Sequence, residues 1–228
     1  MVKPLFTNAV PFSALRFKVY QYFGVLPIIE MLDRTIQWRR ILTVRRMEDI
    51  AVFENKTTDW ADIAVIIPTY RRGELLIKAV NSVFEQTYDG CVSISIIDDC
   101  GGDIPDVLRE DLRINVVRLK SNIGVAGAVR NIGIRLTKSN FIAFLDDDNT
   151  WNPNHLTLAA DELDGNMQAS GHTSLCALHA EDGNLVGVCG GEYSAAKMRH
   201  FNYIDTSCIV LRRESASIFS RLPRRRGS

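Results

Sequence analysis

Three consecutive carboxylates follow an apolar run in the stretch Phe141-Ile-Ala-Phe-Leu-Asp-Asp-Asp-Asn-Thr150. Such a run predicts a strand that is buried on both faces, and ligands commonly bind where a strand of this kind emerges from an open α/β sheet. Side chains alternate along a strand, so Asp146 and Asp148 point the same way if the strand geometry persists. Two carboxylates on one side suit Mg²⁺ or Mn²⁺. The simpler interpretation is that these acids only cap the helix that follows.

Length and composition are those of an ordinary globular protein. The 228 residues, 46% of them hydrophobic and 24% charged, allow one sizeable domain with a small appendage. Lys plus Arg and Asp plus Glu both number 27, so no charge excess indicates a nucleic-acid partner. The five cysteines form no C-x-x-C pair, which favours a reducing compartment. No apolar run approaches the roughly 20 residues of a membrane span. We therefore expect a cytoplasmic protein, with the inner face of the membrane as the alternative location.

Residues 1–60 are predicted to form a helical extension. An aromatic and aliphatic cluster at residues 12–23 precedes a helix predicted from about Ile28 to Phe53, in which apolar residues recur at helical spacing among arginines. The extension either packs on the main domain or a second subunit, or lies on an anionic membrane surface. Its mixed charges favour packing or self-association.

Strand and helix patterns alternate in the remaining domain, which is predicted to span residues 61–228. Strands are predicted at 63–67, where Pro68 ends the run, and at 92–97, 114–119 and 141–145, with helices at 75–85 and 125–136. This order predicts an α/β fold with a mostly parallel sheet and helices on both faces. A hairpin of residues 175–178 and 185–188 and a last strand at 208–211 follow.

Polar clusters end three neighbouring strands of the predicted sheet. They are Pro68-Thr-Tyr-Arg71, Asp98-Asp99 and Asp146-Asp-Asp148. The carboxyl ends of parallel strands open on one edge of a sheet, so these clusters are expected to converge on one crevice. A nucleoside diphosphate fits them, with Tyr70 stacked on the base, Asp99 accepting a base N–H and a metal on Asp148 neutralising the diphosphate.

Some of these residues also have a simpler structural explanation. In addition, the sequence lacks the motifs of several other classes of active site. Arg71 and Arg72 are also explained as surface charges, and Asp98 as a structural acid in a turn. The sequence contains no P-loop, no G-x-G-x-x-G after the first strand and no G-x-S-x-G elbow. Its four histidines lack zinc-site spacing.

The segment from Ile63 to about Arg213 resembles the family 2 glycosyltransferases, which have the GT-A (nucleotide-diphospho-sugar transferase) fold. The matching motifs are Val65-Ile-Ile-Pro-Thr-Tyr-Arg71, Ile96-Ile-Asp-Asp99, Asn122-Ile-Gly124, Ala128-Val-Arg-Asn-Ile-Gly133, Phe144-Leu-Asp-Asp-Asp148 and Trp151-Asn-Pro153. The resemblance covers roughly two thirds of the chain and excludes residues 1–60. It implies a transferase that moves a sugar from a nucleotide-diphosphate donor, expected to be a UDP-sugar, to a hydroxyl of a glycan or lipid-linked acceptor in cell-envelope or polysaccharide biosynthesis.

The same resemblance implies roles for particular residues. Asp146 and Asp148 would form the metal-binding D-x-D element for Mg²⁺ or Mn²⁺, and Asp148 would act in catalysis. The implied donor-binding residues are Pro68, Thr69, Tyr70, Arg71, Asp99, Arg130 and Asp147. For Arg130 the alternative is a solvated charge on a helix.

One expected element is absent from the sequence. The family carries an acidic pair downstream of the D-x-D element that supplies the general base, and residues 202–213 resemble the strand before it, but no Glu-Asp follows. Either the C-terminal part of the domain is missing or Asp205 has taken this role. The sequence therefore predicts nucleotide binding with slow or no transfer, and it leaves open a non-catalytic nucleotide-sugar-binding or scaffold protein of the same fold.

Overall fold

The computed structural model describes residues 26–180, 182–198 and 202–222. The aromatic cluster predicted at residues 12–23 lies outside these ranges. The first elements are α1 (Leu26–Glu54), β1 (Trp60–Thr69), α2 (Gly73–Phe84), β2 (Val92–Asp98), α3 (Asp106–Arg109), β3 (Ile114–Arg118), α4 (Ala126–Leu136), β4 (Lys138–Phe144) and α5 (His155–Gly165). Shorter elements follow: β5 (Gly171–Thr173), β6 (Cys176–His179), β7 (Leu185–Cys189), α6 (Ala195–Met198) and β8 (Ile209–Arg212).

The main sheet has six strands in the order β3-β2-β1-β4-β8-β5, and β6 pairs with β7 in a separate hairpin. β1 is parallel to both β2 and β4, with Ile63 opposite Val92 on one side and Phe141 on the other. Only the pairs that involve β8 are antiparallel in this sheet. The prediction of a mostly parallel sheet is thus confirmed. From β1 the chain proceeds to β2 and β3 on one side and then returns to β4, so the strand order reverses between β1 and β4. Ligands bind at such reversal points.

Two cores explain why β1 is apolar at successive positions. Ile63, Val65 and Ile67 pack with α2 and α5, whereas Ile66 packs with α4 on the opposite face. A strand covered on both faces cannot alternate apolar with polar residues, because neither face meets water. The prediction that β1 stops before Pro68 is wrong: the strand runs to Thr69, because a proline at the end of a strand fits the extended backbone and forfeits little pairing.

The long helix α1 confirms the helix predicted from Ile28 to Phe53. Its second half packs on α4 and buries Val44 and Ala51, which agrees with the packing alternative for this part of the extension. Ile36, Trp38 and Phe53 remain exposed on the same helix. Within the described ranges, no helix combines the length and the apolar character needed to span a membrane.

Candidate functional site

A crevice of about 460 Å³ opens at the carboxyl ends of β1, β2 and β4. This volume lies in the usual range for small-molecule sites. The sequence-derived positions that line it are Pro68, Thr69, Tyr70, Asp99, Arg130, Asp146, Asp147 and Asp148. Further lining residues that sequence reasoning did not assign to the site include Arg72, Asn122, Val125 and the first residue of α4, Ala126.

The three consecutive carboxylates do not alternate as strand residues would. β4 ends at Phe144, and Asp147 and Asp148 lie in a turn. The predicted common orientation of Asp146 and Asp148 therefore lacks its basis, because the strand stops before either residue. Asp146 instead forms an ion pair with Arg130, whose side chain is largely buried. Arg130 is thus a crevice residue, and the alternative of a solvated helix charge is wrong.

The positive charge of Arg72 lies between the other two carboxylates and offsets their negative charge. Its Nη1 lies 3.1 Å from Oδ1 of Asp147 and 2.6 Å from Oδ2 of Asp148. The Thr69 hydroxyl donates to Asp147 at 2.8 Å. Burial raises the pKa of Asp147, although the bonds from Thr69 and Arg72 oppose the shift, and the field of Asp147 raises the pKa of Arg72. The explanation of Arg72 as a mere surface charge is therefore wrong, and no local sequence signal separates it from Arg71.

Asp99 holds the loop that leads into α4. Its Oδ1 accepts the N–H of Ile123 at 2.6 Å, and its Oδ2 accepts the N–H of Gly124 at 2.9 Å and the amide of Asn122 at 3.2 Å. Burial raises the pKa of Asp99, and the two backbone bonds oppose that shift. The motif Asn122-Ile-Gly124 was the sequence signal for this loop. A carboxylate has about four acceptor positions, so Oδ1 keeps a lone pair for a ligand.

Three other positions from the sequence analysis lie outside the crevice. Asp98 is buried and accepts two backbone N–H groups of the following turn, which confirms its structural role. Arg71 has a left-handed backbone with φ of 55°, and its guanidinium lies 5.1 Å from the ring centre of Tyr70. Asp205 accepts the N–H of Ser207 at 2.8 Å and caps the turn before β8, so its assignment as general base stays a prediction.

The acidic side chains of the crevice fit a hard divalent cation by their chemistry, since they offer only oxygen ligands. The side chains of Asp146 and Asp148 are 31% and 47% exposed, so solvent reaches both. In the part of the chain that the structure describes, no three His, Cys, Asp or Glu side chains are grouped to hold a metal. A cation at these carboxylates would therefore need further ligands from water or from a bound anion.

The N-terminus of α4 adds an anion-binding element to the crevice. Its N-cap residue, Val125, makes no side-chain capping bond, and Val125 and Ala126 both line the crevice. The first N–H groups of a helix carry a partial positive charge and suit phosphate oxygens. The crevice thus combines carboxylates, two arginines, an aromatic ring and an uncapped helix.

Comparisons with known proteins point to one family. Residues 64–174 match the family model described as "Glycosyl transferase family 2". An uncharacterized glycosyltransferase of Rickettsia bellii is 34% identical over 59% of this chain and 20% of its own length. The amylovoran biosynthesis glycosyltransferase AmsB of Erwinia amylovora is 28% identical over 68% of this chain and 56% of its own length. The chain thus spans less than two thirds of either relative.

The fold has a counterpart among solved structures. S. aureus TarS 1-349 in complex with UDP-GlcNAc aligns with a TM-score of 0.51 at 20% sequence identity, over 67% of this chain and 45% of that one. This likeness confirms the predicted GT-A-like α/β fold, with α1 added before the sheet. Family model and relatives agree, and residues 64–174 of this chain match glycosyl transferase family 2.

Proposed function

We propose that the crevice binds a nucleotide-diphosphate sugar, with UDP as the nucleotide, and that the protein transfers the sugar to a hydroxyl of a glycan or lipid-linked acceptor in polysaccharide biosynthesis. The observation that carries this proposal is the convergence of an aromatic ring, two arginines, an uncapped helix N-terminus and three carboxylates at the reversal point of the sheet. The UDP-GlcNAc bound to TarS and the biosynthetic role in the name of AmsB support the choice of ligand and process.

Each part of the crevice has a task in this proposal. Tyr70, which is 41% exposed, offers its ring to the base, beside Asp99 with its remaining lone pair. The N-terminus of α4 and Arg130 bind the diphosphate. Asp146 and Asp148 are the residues that would hold Mg²⁺ or Mn²⁺, and such a metal would stabilise the negative charge of the leaving diphosphate.

Calorimetry of UDP binding with and without Mn²⁺ tests the donor half of the proposal. We expect Asp148→Ala to weaken Mn²⁺-dependent UDP affinity at least about tenfold, since one lost charged contact is worth roughly 1.5–3 kcal/mol. The fold should persist because the Asp148 side chain is half-exposed. Asp106→Ala is the matched control, because this acid is exposed on α3 outside the crevice. Equal UDP affinities in Asp148→Ala and the wild type would remove the metal assignment.

The acceptor half is tested by a transfer assay on a glycan or lipid acceptor pool. Asp205 lies outside the crevice and binds a backbone amide, which favours the non-catalytic nucleotide-sugar-binding alternative. General-base catalysis is worth roughly 10²–10⁴ in rate. Turnover that disappears in Asp205→Asn would make Asp205 the base. Nucleotide binding without turnover would instead support the non-catalytic alternative.

A further inference from the structure

A fully buried carboxylate ties the first helix to the far end of the described chain. Glu48 on α1 has no exposed surface, and its Oε2 accepts Nε and Nη2 of Arg221 at 3.0 and 2.8 Å. Its Oε1 accepts the side-chain amide of Asn131 on α4 at 3.0 Å. A buried carboxylate is costly unless it is paired and hydrogen-bonded. Glu48 meets both conditions, so α1, α4 and residues 216–222, here named the strap, are joined at one point.

Asn131 links Glu48 to the strap through hydrogen bonds to the backbone of Phe219. Its Oδ1 accepts the N–H of Phe219 at 2.7 Å, and its Nδ2 also donates to the carbonyl of Phe219 at 3.2 Å. The strap lies directly on α4, since a Cβ added to Gly127 would lie 2.7 Å from the carbonyl oxygen of Ser220. The position of Phe219 is therefore specified from both sides by a buried side chain and by close backbone packing.

The ring of Phe219 in turn lies next to Arg130, which lines the crevice, and next to Phe144. It packs edge-to-face on Phe144, the last residue of β4, with ring centres 5.1 Å apart. The guanidinium of Arg130 lies 5.6 Å from the centre of the same ring. Arg130 pairs with Asp146 through Nη2, whereas its buried Nε has no hydrogen-bond partner among the described residues. Few buried polar groups lack a partner, so the Arg130 side chain is held by its ion pair and by the Phe219 ring and not by a full set of hydrogen bonds.

We propose that Phe219 is a positioning residue for Arg130, fixed by Asn131 and the buried Glu48–Arg221 pair, and that it directs the Arg130 guanidinium toward the diphosphate of the donor. An aromatic face attracts a guanidinium and restricts its plane. The strap and α1 thereby influence phosphate binding without touching the nucleotide. The identity of the ligand rests on the proposed function, whereas the positioning of Arg130 does not.

Paired affinities for UDP and uridine separate positioning from a general structural role. Phe219→Leu fills most of the same volume without an aromatic face. We expect it to weaken UDP binding about tenfold, the effect of roughly 1.4 kcal/mol, while uridine affinity changes by less than about twofold. Asp49→Asn is the control, because it breaks an exposed ion pair with Arg135 between the same two helices. Unchanged UDP affinity, or an equal loss for UDP and uridine, would overturn the proposal.

A second measurement needs no nucleotide, so it distinguishes failure of this inference from failure of the proposed function. With ¹⁵N-labelled arginine, the Nε–H signal of Arg130 can be assigned by its loss in Arg130→Lys. We expect slow exchange with water in the wild type and in Asp49→Asn, and exchange at least about tenfold faster in Phe219→Leu, because local opening becomes easier. An unchanged exchange rate in Phe219→Leu would contradict the positioning role even if UDP binds.

The buried pair supplies a rescue experiment. Glu48→Gln keeps an acceptor for Asn131 but leaves Arg221 with an uncompensated charge, so we expect faster Arg130 Nε–H exchange. The double variant Glu48→Gln/Arg221→Met removes both charges and keeps the Asn131 contact. Replacing a buried ion pair by uncharged groups is often neutral, so this variant should recover slow exchange. Fast exchange in a folded double variant would show that the strap does not act through Asn131, and would overturn the proposal.

Discussion

Arg72 contacts two carboxylates that differ in exposure. The side chain of Asp147 is 8% exposed, whereas Arg72 and Asp148 are about half-exposed. Water screens the contact with Asp148 and weakens it relative to the contact with Asp147. The contact between Arg72 and Asp148 is therefore the one that a metal ion or another partner breaks more easily.

This difference predicts competition between Arg72 and a divalent cation. In the absence of nucleotide, Arg72→Gln should bind Mn²⁺ several-fold more tightly than the wild type, because an opposite charge within 4 Å is worth about 1–4 kcal/mol near a surface. Calorimetric or paramagnetic titration with Mn²⁺ measures the change. Arg71→Gln is the control, since Arg71 lies next in sequence but outside the crevice. Weaker Mn²⁺ binding in Arg72→Gln would mean that the guanidinium does not compete.

The burial of Asp147 predicts the sign of a pH dependence. Its pKa in the folded state is raised above the ordinary value of 3.8, so between these two values the folded protein holds a proton that the unfolded chain has released. The free energy of unfolding should therefore fall as pH rises through this window and level off above it. Urea denaturation at several pH values should show a shallower fall in Asp147→Asn. Asp99, whose pKa is also raised, accounts for a residual slope in that variant. A slope that is unchanged in Asp147→Asn would contradict this assignment.

At the scale of elements, α4 is pressed closely onto β1. A Cβ added to Gly133 would lie 2.5 Å from Cγ2 of Ile66. We expect Gly133→Ala to lower the free energy of unfolding by about 1–3 kcal/mol, because a filled core accommodates a methyl group only by moving its neighbours. Gly165→Ala is a matched control at the last residue of α5, where no atom lies within 4 Å of the added Cβ, and it should stabilise by about 0.5 kcal/mol. Equal urea midpoints for the two variants would refute this packing argument.

Sequence periodicity was sufficient to predict the helices and strands but not the side-chain contacts between them. The helix at Ile28 to Phe53 and the parallel strands follow from local patterns, because those patterns record which faces are buried. The turn at Asp147 and Asp148 does not follow, since strand geometry persists only where a neighbour pairs, and β8 pairs with β4 no further than Ala143. The roles of Arg72 and Glu48 depend on partners 75 and 173 positions away, which no local pattern specifies.

At the scale of the molecule, α1 contributes to the packed domain. It buries Val44 and Ala51 and provides the only acidic partner found for Arg221 among the described residues. Deleting residues 1–55 should therefore lower the free energy of unfolding by about 2 kcal/mol or more, because the apolar surface that α1 covers returns to water and each buried aliphatic side chain is worth roughly 1.5–3 kcal/mol. Urea denaturation measures this loss, and the Asp49→Asn variant of the full chain is the reference for a merely exposed contact. A deletion variant as stable as the full chain would contradict it.

Several large apolar residues of α1 are exposed, and such a surface can bind a second protein molecule or a membrane. Ile36, Trp38 and Phe53 are exposed on a helix that also carries several arginines. We expect self-association through this surface, which sedimentation equilibrium of the full chain and the deletion variant would detect. If the full chain instead cosediments with anionic liposomes and the deletion variant does not, the helix binds membrane surfaces.

The contact between Glu48 and Arg221 also constrains the order of assembly during protein synthesis. A ribosome that adds roughly 5–20 residues per second would release Arg221 about 9 to 35 s after Glu48, because 173 residues separate them. Throughout that interval the carboxylate lacks the cation that makes its burial favourable. The first described helix to leave the ribosome is therefore expected to be the last to dock.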